Sequence, residues 1–242
     1  MNIVFFGSIP TATSCLKKLV SLFGKQSIFV ITDHGYETDE GETVFEFCKR
    51  ENLNIITLDE LSNSSERYDY GFSVRFNKII SKQVINKFNK GIINFHGGPL
   101  PDYRGSANHI FAILNEEKNF GPTFHFIDEG IDTGNIIATK MFEISEDDTG
   151  YTLFQKTLNT GEKVFYELIK KIASGQEIKS VPQNLSEGNT YKVKDLRKYQ
   201  HINSLDLSEK ELLKRLKAFY HPYKSGVILE LGDEKIEMKL QR

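Results

Sequence analysis

Strand and helix patterns alternate through residues 2–95, and that alternation limits the chain to a sheet of mostly parallel strands covered by helices on both faces. The apolar run Asn2–Phe6 reads as a short strand closed by the turn Gly7-Ser8. From Pro10 to Phe23, the residues Ala12, Leu16, Leu19, Val20 and Phe23 recur at helical spacing. Ser27–Thr32 reads as a strand, Glu42–Asn52 as a helix, Asn54–Leu58 and Tyr68–Val74 as strands, Ser81–Phe88 as a helix and Ile92–Phe95 as a fifth strand. The expected fold class is α/β with a Rossmann-like, mostly parallel sheet. Ligands of such sheets bind beyond the carboxyl ends of the strands. That rule points to Gly7–Pro10, to Val74–Asn77 and to the segment after Phe95.

The rhythm then changes. Gly97, Gly98, Pro99, Pro101 and Gly105 predict a long irregular loop. A helix is expected over Ala107–Leu114, and strands over Pro122–Ile127 and Asn135–Ile144 with the turn-rich Asp128–Gly134 between them. Thr152–Ala173 has the pattern of a long amphipathic helix, started at Thr149-Gly150 and stopped at Gly175. Lys192–Asp206 has little periodicity. Leu207–Ala218 reads as a helix, with Ser208 as N-cap and Glu211 as capping-box partner. Val227–Leu231 and Ile236–Leu240 flank Gly232-Asp233 as a hairpin. The chain therefore predicts one large α/β unit with a small C-terminal appendage of helix and hairpin.

Composition narrows the function classes. The 242 residues carry a formal net charge of -2, without the basic excess that phosphate-gripping nucleic-acid binders show. No apolar run is long enough to span a bilayer. The opening run meets Gly7 too soon to be a signal-peptide core, so the cytoplasm is the expected compartment. Cys15 and Cys48 lie far apart in expected helices with no metal-ligand spacing, which reads as two buried reduced thiols.

The stretch with chemical content is Asn94-Phe95-His96 followed by Gly97-Gly98-Pro99-Leu100-Pro101-Asp102-Tyr103-Arg104-Gly105. Residues two apart on a strand point the same way, so Asn94 and His96 can face one cleft. An amide donor beside an imidazole suits a carbonyl that must become an oxyanion, with a proton to be moved at neutral pH. The second element is Asp128-Glu129-Gly130-Ile131-Asp132-Thr133-Gly134. A carboxylate from it near His96 would fix the ring and stabilise the imidazolium. Each piece alone has a plain reading, as a satisfied polar pair, a loop or a turn.

In this order the three pieces resemble the core of the 10-formyltetrahydrofolate-dependent formyltransferases, most of all those acting on nucleotide-linked sugars. The resemblance runs over most of residues 1–175 and includes Phe6-Gly7-Ser8 and Asp69–Ile80. It implies that Asn94 polarises the formyl oxygen, His96 assists proton transfer and Asp132 holds His96. It also implies a formyl-folate donor, no metal, and no enzyme nucleophile beyond the substrate's own amine. The folate head is expected against Val74, Arg75, Phe76 and Asn77, and against Phe124, Ile127, Asp128, Gly130 and Asp132; for Phe124 and Ile127, core packing is the equal alternative. One departure is that Gly97-Gly98-Pro99 stands where folate transferases often carry a serine before the Leu-Leu-Pro or its equivalent.

For the acceptor amine, the resemblance leaves three classes. The short C-terminal segment and the slight acidity disfavour transfer RNA. Gly7-Ser8-Ile9-Pro10-Thr11 makes a weaker phosphate cradle than glycinamide ribonucleotide enzymes use. What remains is a nucleotide-linked, dTDP-type amino dideoxyhexose used for surface polysaccharide such as O-antigen. Candidate substrate contacts are Ser8, Pro10, Gly97, Tyr103, Arg104, Gly105, Tyr220 and Tyr223. Arg104 either meets a diphosphate or braces the loop. Phe219, Tyr220 and Tyr223 either stack on a base or pack the appendage. His34, His109, His125 and His201 are expected to be structural or at the surface. The expected organisation is a catalytic domain over 1–178 and an appendage over 179–242 for nucleotide binding or dimerisation. A homodimer is expected from the resemblance. The alternatives are a formyltransferase for glycinamide ribonucleotide or methionyl-tRNA, and a non-catalytic folate-binding relative.

Overall fold

In the computed structural model, which describes residues 1–33, 41–203 and 207–241, the chain forms a seven-stranded sheet with helices on both faces. The elements in order are β1 (Ile3–Phe6), α1 (Pro10–Phe23), β2 (Ile28–Ile31), α2 (Val44–Glu51), β3 (Asn54–Ile55), α3 (Leu58–Asn63), β4 (Tyr70–Val74), α4 (Lys82–Ile85) and β5 (Ile92–His96). There follow β6 (Tyr103–Gly105), α5 (Asn108–Leu114), β7 (Asn119–Phe120), β8 (Thr123–Phe126), β9 (Ile136–Thr139), β10 (Phe142–Glu143) and α6 (Gly150–Ala173). The C-terminal part holds β11 (Asn189–Tyr191), α7 (Arg197–Gln200), β12 (His201–Ile202), α8 (Glu209–Ala218), β13 (Val227–Leu231) and β14 (Glu234–Met238). The main sheet runs β3-β2-β1-β4-β5-β8-β9. Its first five strands are parallel, β8 pairs antiparallel with β5, and β9 pairs antiparallel with β8.

Alternation along the strands explains the layers. Ile3 and Phe5 pack with Leu16 and Leu19 of α1 and Phe165 and Ile169 of α6. Val4 and Phe6 point to the other face, against Leu61 of α3 and Val84 of α4. Gly161 lets α6 come down on β5, for a Cβ there would lie 2.0 Å from the Phe95 ring. That close approach pins the strand end that carries Asn94 and His96.

A second core joins the two expected parts of the chain. Tyr103, Phe111, Phe120 and Leu153 share it with Leu196, Ile202, Phe219, Val227 and Leu229. Phe219 thus packs the C-terminal segment rather than facing solvent.

Four local expectations are corrected. The loop after Gly97 ends in β6, which pairs in parallel with β11; that partner is remote in sequence and leaves no local signal. The strand expected over Asn135–Ile144 breaks at Lys140-Met141, and β10 leaves the sheet to pair with β7. Pro122 has no N–H to extend the ladder, and the ribbon turns at Gly121-Pro122. The helix expected over Ser81–Phe88 is the four-residue α4. Lys192–Asp206 includes a 3-10 turn at Val193–Leu196, then α7 and β12. In addition α3, which no expectation covered, is set by a capping box: Thr57 accepts from the Glu60 N–H and the Glu60 carboxylate accepts from the Thr57 N–H. Both cysteines are buried and unpaired with each other, and burial pushes both thiols up, Cys48 to about 12.

Candidate active site

The carboxyl ends of β4 and β5 open into a cleft of about 560 Å³, within the range of roughly 300–1,000 Å³ typical of small-molecule sites. Arg75, Phe76 and Asn77 line one side, and Asn94, His96 and Gly97 form the end wall. Gly105–Ile110 and Ile131-Asp132 close a third side, with Phe154, Thr157 and Leu158 of α6 opposite. Val193, Leu196 and Lys224 of the C-terminal segment complete it. Arg75, Ala107 and Asp132 all have left-handed backbones, with φ of 54°, 58° and 53°. Non-glycine residues hold that conformation only where surrounding structure enforces it, and such strain gathers at functional sites.

His96 is buried at the floor. Its Nε2 lies 2.6 Å from the Tyr103 carbonyl. The Asn108 amide nitrogen is 3.0 Å from the same ring atom, but the closer contact is to a carbonyl, which only accepts, so Nε2 carries the proton of the neutral ring. Asn108 donates to the same carbonyl at 2.9 Å and steadies it. The other nitrogen, Nδ1, faces Asp132 Oδ1 at 3.5 Å. Burial lowers the His96 pKa, with Asp132 pulling the other way. The ring is therefore neutral at neutral pH, with a lone pair turned toward a carboxylate that will welcome a proton arriving there. Burial raises the Asp132 carboxyl, but the contact with His125, the attraction of a positively charged His96 ring and the Gly105 N–H outweigh it and hold it below the usual aspartate value. Gly105 donates to Asp132 Oδ2 at 2.8 Å, which ties the glycine loop to the acidic loop.

Asn94 is half-buried beside His96 in the cleft wall, and its Nδ2 lies 3.1 Å from His125 Nε2. His125 Nε2 is also 3.4 Å from Asp132 Oδ1. One donor atom each from His96, His125 and Asp132 fall within 4.8 Å of one another, close enough to share a proton or to ligate a metal ion.

The structure brings Asn94, His96, Asp132, Arg75, Phe76, Asn77, Gly97 and Gly105 to this one cleft. The other candidates lie elsewhere. Val74 and Phe124 are in the main core. Ile127 packs against the core of the opposite face. Asp128 braces its own turn, accepting from the Gly130 N–H and the Thr133 hydroxyl. Ser8 is buried and donates to Asp33 at 3.2 Å, and Pro10 opens α1. Tyr103 is buried behind the cleft with its hydroxyl donating to Glu117. The Arg104 guanidinium donates to the Glu187 and Asn184 carbonyls, which is a loop-bracing role. Tyr220 lines a neighbouring pocket of about 220 Å³, and Tyr223 is 77% exposed.

Two histidines need correction. His125, expected to be structural or at the surface, touches both Asn94 and Asp132. His109 lines the cleft and the neighbouring pocket, and burial, aided by Arg75 and Lys224, pushes its pKa down to about 3. His201 is remote and pairs with Glu230; His34 lies outside the described residues. Sequence reasoning also passed over Asn108 and Lys224. The antiparallel pairing of β5 with β8, which no neighbouring residue announces, places His125 opposite Asn94.

Four likenesses bear on the chain. The formyl transferase family model matches residues 2–169. A methionyl-tRNA formyltransferase from Kosmotoga olearia is 36% identical over 170 residues, which is 70% of this chain and 53% of that protein, so the chain spans about half the length of this curated relative. An N-formyltransferase from Helicobacter canadensis, solved with folinic acid and dTDP-3-aminofucose, superposes with a TM-score of 0.83 at 25% identity, covering 98% of this chain and 86% of its own. A sugar 3N-formyl transferase solved with dTDP and 5-N-formyl-THF gives 0.80 at 26% identity, over 99% and 94% of the two chains. Among the described residues no helix is long and apolar enough to cross a membrane. The chain belongs to the formyl transferase family.

Proposed function

We propose that this protein moves the formyl group of 10-formyltetrahydrofolate onto the amine of a nucleotide-linked amino sugar. The observation that carries the reading is the reach of the cleft. Its walls come from the formyl transferase core and also from Val193, Leu196 and Lys224, and the likeness to the dTDP-3-aminofucose enzyme extends over that same C-terminal segment. The residues fit a folate head: apolar walls from Phe76, Ile131, Phe154 and Leu158 lead to a polar floor of Asn94 and His96. Lys224, near Arg75 and His109, supplies positive charge suited to a diphosphate.

When bound, the folate supplies the activated formyl group. Asn94 directs an N–H at the formyl oxygen and stabilises the negative charge that develops as the amine adds to the carbon. His96 Nδ1 takes the amine proton, and the imidazolium is then held between the Tyr103 carbonyl and Asp132. His96 would then hand the same proton to the nitrogen that leaves when the formyl group is transferred. Asn94, His96 and Asp132 are the catalytic residues, and Arg75–Asn77 with Ile131 hold the folate head. The acceptor is a dTDP-linked 3-amino or 4-amino dideoxyhexose for surface polysaccharide, and the working form is a cytoplasmic homodimer.

The 36% identity to a methionyl-tRNA formyltransferase favours a second acceptor, the amine of methionyl-tRNA. Mass measurement after incubation with 10-formyltetrahydrofolate separates the two. A formyl adduct on a dTDP-amino sugar supports the proposal; an adduct on methionyl-tRNA alone replaces it.

A further inference from the structure

Asn94 and His125 stand directly opposite each other in the antiparallel pairing of β5 and β8. Cross-strand partners put their side chains on one face, within reach of each other. The pairing of β8 with β9 is irregular between Phe124 and His125, and such bulges beside active sites re-aim a side chain. His125 is 2% exposed, so both of its ring nitrogens need partners from the protein.

Those partners fix the ring. His125 Nδ1 is 2.8 Å from the Phe126 carbonyl, which only accepts, so the proton of the neutral ring sits on Nδ1. Nε2 is then a lone pair: it accepts from Asn94 Nδ2 at 3.1 Å, the nearer of its two contacts, while Asp132 Oδ1 stands off at 3.4 Å. An Asn amide can present either end. Against a lone pair only the NH2 end is favourable; the flipped amide would set oxygen against nitrogen. One N–H of Asn94 is thus held by His125, and the second is aimed into the cleft.

On the formyl-transfer reading above, on which this inference rests, we propose that His125 is a positioning residue. It holds the Asn94 amide with its donor end toward the developing oxyanion, and the Phe126 carbonyl holds His125 in the tautomer that makes this possible. A site 1 Å or one flip from its productive geometry loses on the order of a hundredfold in rate. His125→Phe fills the same space with no acceptor and frees the amide. His125→Gln restores an acceptor oxygen near the position of Nε2.

The test compares kcat and KM for wild type, His125→Phe, His125→Gln, Asn94→Ala and the double variant Asn94→Ala/His125→Phe, with thermal unfolding as a control. Expected is a drop in kcat on the order of tenfold to a hundredfold for His125→Phe with KM for both substrates held, and partial recovery in His125→Gln. His125→Phe is expected to add nothing once Asn94 is gone, as coupled residues do. Wild-type kcat in His125→Phe, or full additivity in the double variant, overturns the proposal. Nitrogen-15 NMR of the wild-type protein reads the tautomer without activity. A protonated Nδ1 and bare Nε2 on His125, with slowed exchange of the Asn94 amide, upholds the positioning role even if no amine tried is formylated. A protonated Nε2 overturns it even in an active enzyme.

Discussion

His96 turns its two nitrogens to opposite duties: Nε2 is spent on the Tyr103 carbonyl at 2.6 Å, and Nδ1 faces Asp132 at 3.5 Å. The neutral ring thus has its only proton committed to the Tyr103 carbonyl and its only lone pair turned toward the Asp132 side.

This predicts the acid limb of the pH profile. Burial lowers the His96 pKa from its ordinary value of 6.5, so the active neutral form persists below that pH. Activity falls only as pH drops through the lowered pKa. Asp132→Asn removes the charge that pulls the pKa back up, so its residual activity will have an acid limb shifted further down. The Asn side-chain oxygen still accepts from the Gly105 N–H, whereas Asp132→Ala leaves that donor unpaired, at a cost of about 1–3 kcal/mol. Both variants lose roughly a hundred- to ten-thousand-fold in kcat, and only Ala unfolds early. A profile of kcat/KM against pH and a denaturant titration check the two halves.

A second prediction concerns stability in acid. His109 has its pKa pushed down to about 3 from 6.5. Between those values the unfolded chain binds a proton that the folded chain refuses, so stability is full above 6.5 and is lost as pH falls toward 3. His109→Phe removes one such group. Its stability, measured by denaturant unfolding across pH 4–7, is expected to fall less steeply with acid than that of wild type.

Gly161 offers a contest of two effects. Alanine in a helix interior is favoured over glycine by about 0.5–1 kcal/mol. Here its Cβ would lie 2.0 Å from the Phe95 ring, one residue from both Asn94 and His96. Overpacking of a tight core costs about 1–3 kcal/mol, and the clash wins. Gly161→Ala is expected to melt lower and to lose kcat through displacement of the β5 end; a melting curve with a rate assay reads both.

Arg104 separates bracing from substrate binding. Its guanidinium meets the Glu187 and Asn184 carbonyls and does not line the cleft. Arg104→Met is expected to lower stability by about 1–3 kcal/mol and to leave KM for the nucleotide sugar within twofold or so. A large rise in KM at unchanged stability would contradict the bracing role.

Local signals carried most of the fold. The helix expected over Pro10–Phe23 forms with those same bounds, and Ile92–Phe95 gains only His96. Periodicity, Gly/Pro turns and caps are properties of neighbouring residues, and a single chain displays them. What stayed hidden depends on pairing at a distance. Nothing near Tyr103 announces β11, and nothing near His125 announces Asn94. The family resemblance put Val74 and Phe124 at the folate, with core packing the equal alternative for Phe124; both side chains lie in the core. The α3 helix is a different case, since Thr57-Leu58-Asp59-Glu60 carries a legible capping box.

Formyl transfer to a sugar amine is read most directly by incubating the pure protein with 10-formyltetrahydrofolate and dTDP-linked 3-amino and 4-amino sugars and weighing the product. A formylated dTDP-sugar is expected with wild type, and a loss on the order of a hundred- to a thousand-fold in Asn94→Ala with the protein still folded. No formylated sugar from any member of the panel, or full activity in Asn94→Ala, would contradict it.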